Sequence, residues 1–261
     1  MTTNQAFTIL AQAGGVRAAR IITENNPILS RFRVWSYARM LRRGVPVAKI
    51  IGKKWFFGLQ FYTNKYTLDP RPDTETLVSA VISDCGAGIK NPRILDIGTG
   101  TGCVIVSLIK NIHGAHGTAI DISRGAIRVA RRNIKKHSLE NKIVIKRMSF
   151  AKKMRFNSPF DIIVSNPPYI ARGDTRVDTG ASFDPKMALY AASDGYAAYQ
   201  AIAINARDII VPRGKIYLEI GIGMGKRVRE IFHNAGWKFE RAENDLSGTE
   251  RVLVFSNPTK F

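Results

Sequence analysis

Cysteine is scarce in this chain: only Cys85 and Cys103 occur in 261 residues, and neither belongs to a CxxC or a Cys/His cluster of metal-ligand spacing. A disulfide scaffold and a structural zinc site are therefore excluded as the basis of the fold, and a reducing compartment is implied. The four histidines, His113, His116, His137 and His233, are scattered, and none forms an HExxH pair; no metal is expected. No apolar run approaches the roughly eighteen residues of a membrane span. Residues 1–30 also lack the charged start and apolar run of a signal peptide. A bacterial-type cytoplasm is the expected location. Acidic residues are the other scarcity, 20 against 40 basic ones, which leaves a formal charge of +20. Such an excess attracts phosphate polyanions, so transient proximity to ribosome or RNA through a basic surface is expected, although charge alone does not separate DNA, RNA and ribosome.

Hydrophobic residues make up 45% of the chain, enough for one α/β core and a small accessory unit. Residues 1–44 carry helical periodicity, with Val34, Ala38 and Leu41 on one stripe among Arg31, Arg39, Arg42 and Arg43. Gly44 and Pro46 end that pattern, and the aromatic, alternating WFFGLQFYTNKYTL at 55–68 predicts a β-hairpin linker within 45–70. A catalytic domain over 71–261 follows, in which helical and strand patterns alternate. That alternation predicts a mainly parallel, doubly wound sheet with right-handed crossovers.

ILDIGTGTG at 94–102 sets a buried strand and three alternate glycines, Gly98, Gly100 and Gly102, before a helical run. Glycines there permit a tight turn and close approach of a ligand to the backbone. A dinucleotide fingerprint would place Gly or Ala where Cys103 stands, and the carboxylate of Asp96 would repel a pyrophosphate. A cofactor carrying an ammonium and a sulfonium, such as S-adenosylmethionine, suits that carboxylate. Asp121, ending the next strand, can accept two hydrogen bonds from a ribose diol.

A second motif, Asn166-Pro167-Pro168-Tyr169, follows the apolar strand Asp161–Ser165 at its carboxyl end, where open α/β sheets bind ligands. The prolines stiffen the backbone and lack N–H groups. The Asn166 amide oxygen and the Pro167 carbonyl can accept both hydrogens of an incoming NH₂ and orient its nitrogen, while Tyr169 can pack on a flat amide or base.

With these two motifs, the aromatic linker followed by PRPDTE (Pro70–Glu75), FDPKMAL at 183–189 with Asp194-Gly195, LEIG at 218–221 and DLSGTERV at 245–252, the sequence resembles the HemK/PrmC family of protein-glutamine N5-methyltransferases. The resemblance implies a class I S-adenosylmethionine-dependent methyltransferase fold, Rossmann-like with a mainly parallel seven-stranded sheet. It implies methyl transfer to the glutamine of the GGQ motif in class I peptide chain release factors, with S-adenosyl-L-homocysteine as product. Carried over by position, Asp96, Gly98, Thr99, Gly100, Thr101, Gly102, Asp121, Phe150 and Asn166 would hold the cofactor. Asn166, Pro167, Pro168, Tyr169 and Arg71 would meet the substrate, with Asn166, Pro167 and Tyr169 catalytic.

Two departures stand out. Ser149-Phe150 replaces an acidic-aromatic pair, so the usual carboxylate for the adenine amino group is missing, and the N-terminal helical region is shorter than the family's. Three alternatives stay open: N6-adenine methylation of DNA or RNA, glutamine methylation of a ribosomal protein, and a non-catalytic ribosome- or RNA-binding module.

Overall fold

A computed structural model describes residues 1–171 and 182–258. Three helices, α1 (Thr3–Gly14), α2 (Val16–Asn25) and α3 (Arg31–Arg42), open the chain. Thr2 and Gln5 form a reciprocal capping box on α1, and Ser30 accepts from the Arg33 N–H to start α3. Their apolar stripes, including Leu10, Ile22, Val34 and Ala38, meet in a small core of their own. That core also takes Ile50 from a short helix, α4 (Val47–Ile51), so the helical unit extends past the boundary expected at residue 44. Pro46 starts this helix rather than ending the helical region, as its fixed φ suits a helix start.

The hairpin follows as β1 (Lys53–Phe56) and β2 (Leu59–Tyr62). Phe57 and Gly58 both have positive φ (48° and 70°), the geometry of a two-residue turn that matches strand twist. Phe56 and Phe61 point from it into the core of the catalytic domain.

That domain contains α5 (Thr74–Gly86), β3 (Arg93–Ile97), α6 (Cys103–Asn111), β4 (His116–Asp121), α7 (Arg124–Lys136), β5 (Ile143–Arg147) and β6 (Phe160–Ser165). After β7 (Ile170–Ala171) the described elements continue with α8 (Lys186–Leu189), β8 (Tyr190–Ala191), α9 (Ala197–Asn205), β9 (Ile210–Glu219), α10 (Gly225–Asn234), β10 (Lys238–Asn244) and β11 (Glu250–Ser256). Seven strands form one sheet in the order β10-β11-β9-β6-β3-β4-β5. It is parallel from β9 to β5, with β10 and β11 antiparallel at one edge, as the resemblance implies. Helices cover both faces: α5 and α6 pack with Leu77, Val81, Ile105 and Leu108 on one, α9 and α10 with Tyr199, Ile202, Val228 and Phe232 on the other. The sequence pattern extends one helix from 197 to 209, whereas α9 ends at Asn205 and a 3₁₀ turn covers Arg207–Ile209.

A buried ion cluster joins the three parts. Lys49 of α4 places its Nζ 2.8 Å from Asp69 in the linker and 2.8 Å from Asp184 in the catalytic domain, and Arg71 reaches Asp184 at 2.8 Å. The Lys49 ammonium also donates to the carbonyls of Asn64 and Thr67. Removing the one cation shared by two buried carboxylates leaves both under-compensated. Lys49→Ala should therefore cost about 3–5 kcal/mol in a urea denaturation measurement. A loss below about 1 kcal/mol would mean that the pair contributes no more than a surface salt bridge.

Candidate active site

The parallel register brings the carboxyl ends of β3, β4 and β6 to one edge, with Asp96 opposite Ala119 on β4 and Val164 on β6. The loop after β3 then turns tightly over that edge. Gly98, Gly100 and Gly102 all adopt left-handed φ (77°, 55° and 80°), which side chains rarely tolerate. Gly98 and Thr99 both donate their N–H groups to the Ile120 carbonyl, and Gly100 donates to Asp121 Oδ2 at 3.0 Å. The other Asp121 oxygen accepts from the Ser123 N–H at 2.8 Å, so this carboxylate ties the glycine loop to the start of α7.

Asp96 is buried and accepts from Thr99 Oγ1 at 2.6 Å. Burial raises its pKa to about 7, with the Asp121 charge adding to the rise. Burial raises Asp121 as well, against the backbone N–H groups of Ser123 and Gly100 that favour its charge.

Two cavities meet at this edge. One, of about 550 Å³, is lined by Asp96, Gly98, Thr99, Gly100, Thr101 and Asp121, with Ser149 and Phe150 on a further wall. The other, of about 760 Å³, is lined by Pro167, Tyr169, Asp73, Glu219 and Arg251 among others. Asn166, Pro168 and Arg71 line both. The structure thus brings together every site residue read from the sequence except Gly102. That glycine caps α6, its α-carbon face against Ala130, and contributes by shaping the loop. Ser149, in place of the missing acid, already accepts from the Ala151 N–H through its hydroxyl.

Asn166 donates from Nδ2 to Thr74 Oγ1 at 3.1 Å, which leaves its amide oxygen free of that contact. Tyr169 fits because two glycines make room for it. A Cβ on Gly221 would sit 2.9 Å from the Tyr169 ring, and one on Gly195 would run into the Tyr169 carbonyl. Burial, with the Glu219 charge second, pushes the Tyr169 phenol up to about 12, so it serves as a neutral wall.

Glu219 is the residue that the sequence reading of single motifs passed over. It ends β9, is buried, and has an Oε2 without a hydrogen-bond partner among the described residues. Burial raises its pKa to about 7, against hydrogen bonding from Thr74. The signals in the sequence were an acidic residue at the end of an apolar strand, KIYLE, and its place in the segment LEIG, neither of which assigned it a role.

A family model described as the methyltransferase small domain matches residues 71–218. The release factor glutamine methyltransferase of Agrobacterium fabrum (strain C58 / ATCC 33970) is 37% identical over 231 residues, covering 84% of this chain and 78% of its own length. A bifunctional methyltransferase of Rickettsia typhi (strain ATCC VR-144 / Wilmington) is 34% identical over 259 residues, covering 90% of this chain and 50% of its own. The chain thus spans about half the length of the first curated relatives it matches. Among solved structures, the ribosomal protein L11 methylase of Lactobacillus delbrueckii subsp. bulgaricus shares the fold, with a TM-score of 0.53 and 17% identity over 74% of this chain and 84% of that one.

The raised carboxyls have a measurable consequence. Asp96 titrates at about 7 in the folded chain, against roughly 4 when unfolded. A carboxyl raised by folding favours the folded state while protonated, so its contribution is fully present below about pH 4 and is lost as pH rises through about 7. Relative to wild type, Asp96→Asn should therefore gain about 2–3 kcal/mol of stability between about pH 5 and pH 8. Denaturant titrations across that range would read the difference, in which Glu219 cancels; a flat difference would mean that the Asp96 carboxyl is not desolvated.

Proposed function

The chain belongs to the methyltransferase small domain family and, within it, to the release factor glutamine methyltransferases, and from that premise we propose that it methylates the side-chain amide nitrogen (N5) of the GGQ glutamine in class I peptide chain release factors. The observation that carries this reading is the shared wall: Asn166 and Pro168 face both cavities, so a donor on one side and an amide on the other would meet across them.

S-adenosyl-L-methionine, the proposed cofactor, supplies an electrophilic methyl on a sulfonium and leaves as S-adenosyl-L-homocysteine. The cavity around the glycine loop suits such a cation. Asp96 and Asp121 are desolvated there, neither has a basic side-chain partner among the described residues, and a positive ligand would stabilise their charged forms. Each Asp121 oxygen holds one backbone N–H and keeps acceptor capacity for a ribose hydroxyl. Gly98, Thr99, Gly100 and Thr101 present backbone at close range, and Phe150 offers a ring face to the adenine.

On the other side, Asn166 Oδ1 and the Pro167 carbonyl would accept the two hydrogens of the glutamine amide and align its nitrogen with the methyl. Asn166 is neutral, so it polarises the amide without trapping a cation, and the proton released on transfer can pass to water. Tyr169 would pack on the amide plane, and Arg71, held by Asp184, would guide the approaching backbone. The basic exterior would speed encounter with a release factor and bring the enzyme close to ribosomal RNA.

Mass analysis of the GGQ peptide after incubation of release factor, enzyme and S-adenosyl-L-methionine tests the reaction. An unmodified glutamine beside a methylated nucleic acid would replace it with adenine chemistry. Asn166→Ala should lower the single-turnover rate on the order of 100- to 1000-fold while changing cofactor affinity far less. A near-normal rate in that variant would sink the mechanism. Asp121→Ala should weaken cofactor binding by about 1.5–3 kcal/mol in calorimetry. Part of that loss would come from the loop, because two backbone amides lose their acceptor.

A further inference from the structure

β6 and β9 lie side by side and parallel, with Ser165 opposite Leu218, so Asn166 and Glu219 leave the sheet as neighbours. Thr74, buried at the first turn of α5, sits against both. The contact between Asn166 Nδ2 and Thr74 Oγ1 fixes nothing by itself. A hydroxyl can accept from an amide NH₂ or donate to an amide oxygen, so it tolerates either end of Asn166. An ionised carboxylate can only accept. An ionised Glu219 beside Thr74 favours the hydroxyl hydrogen on its own side, which leaves the Thr74 oxygen as an acceptor for the NH₂ end.

Resting on the glutamine-transfer reading, we infer that Glu219 is a positioning residue: acting through Thr74 and on the Asn166 NH₂ itself, its carboxylate turns the Asn166 oxygen toward the substrate cavity. An Asn166 amide turned the other way would present hydrogens to the hydrogens of the incoming NH₂, and the orienting contact would become repulsive.

The surroundings of Glu219 fit this role and do not fit an ordinary ion pair. Arg251 is the cation beside it, but Arg251 spends its guanidinium on Asp245 at 3.0 Å and Asp73 at 3.1 Å. A buried carboxylate left with an unpartnered oxygen is a poor way to stabilise a fold. The groups that face it are Asp73 before α5, Arg251 on β11, Tyr169 after β6, Tyr199 on α9 and Cys103 on α6. Burial pushes Tyr169 and Cys103 each up to about 12 and Tyr199 well above its ordinary range, so all three stay neutral near pH 7. Glu219 itself changes charge at about 7. The selection of the NH₂ end should therefore weaken as pH falls through that value.

The test follows the Asn166 side-chain NH₂ resonances of ¹⁵N-labelled protein from about pH 5.5 to pH 8.5, a window centred on the titration in question. The resonances are assigned by their loss in Asn166→Asp. They should titrate with a midpoint near that of Glu219, continue to titrate in Asp96→Asn, and become flat in Glu219→Gln. With release factor as substrate, Glu219→Gln should lower the single-turnover rate about 100-fold, as misplacement of a reacting group does. Its cofactor affinity should hold, its acid limb should disappear from the pH profile, and Glu219→Asp should recover part of the rate. Asn166 resonances that titrate unchanged in Glu219→Gln would overturn the inference, whether or not that variant has lost activity. A wild-type rate and pH profile in Glu219→Gln would also overturn it. A wild-type enzyme inactive on release factor whose Asn166 resonances titrate only while Glu219 is present would remove the glutamine reading and support the positioning role.

Discussion

Because β3 pairs in parallel with β4 on one side and β6 on the other, the chain's two chemical motifs come out at the same edge of the sheet. Asp96, Asp121 and Asn166 are distant in sequence, and this register alone makes them neighbours. The buried Ser165 hydroxyl reinforces it by donating to the Ile97 carbonyl at 2.7 Å, which ties the end of β6 to the end of β3 one residue before each strand gives way to its loop. A slip in that pairing would separate the glycine loop from Asn166 and undo the common wall between the cavities. The next strand over, β9, extends the same logic to Glu219.

Phe56 and Phe61 anchor the hairpin in the catalytic core, and polar contacts add to their hold on the N-terminal part. Asn133 on α7 accepts from the Tyr62 N–H and donates to the carbonyls of Tyr62 and Thr101, so one buried amide joins the hairpin to the loop that follows β3. The Arg132 guanidinium stacks 3.5 Å from the Tyr62 ring centroid on the same face. With the Lys49 cluster, these bonds couple the N-terminal part to both cavity walls, since Asp69 and Asp184 flank Arg71 and Met187 at the rim. Directional, desolvated contacts of this kind fix one relative placement more narrowly than apolar packing does.

The legible parts of the site were those written in consecutive residues. Gly98–Gly102 and Asn166–Tyr169 each carry their chemistry within a few positions after a strand, and the structure brings them together with Asp121, Phe150 and Arg71. Thr74 and Glu219 stood inside the quoted segments PRPDTE and LEIG, but their meeting beside Asn166 depends on the packing of α5 and β9 against β6, which no short segment spells out. The Lys49, Asp69 and Asp184 cluster was hidden for the same reason. β10 escaped because KFERAEN is an edge strand paired on one side only, with mostly exposed positions that show no apolar alternation. Gly44 and Pro46 read as the end of the helical pattern, whereas the proline opens one further helical turn whose Ile50 joins the N-terminal core.

Charge is distributed in two opposed ways, and the opposition bears on function. The chain is strongly basic as a whole, and α7 turns Arg124, Arg128, Arg131, Arg132 and Lys135 outward. Some of this surface is crowded enough to resist its own charge: burial, then Lys53 and Arg132, lowers the Lys136 pKa although Tyr62 opposes the shift. The cavity edge carries the reverse sign, in Asp96, Asp121 and Glu219, each desolvated. Surface charges are screened over about 8 Å at physiological ionic strength, whereas desolvated ones act at close range with little screening. A cationic ligand can therefore be drawn into a positively charged protein, because the field it meets inside comes from the buried carboxylates, and the field met by an approaching macromolecule comes from the arginines outside.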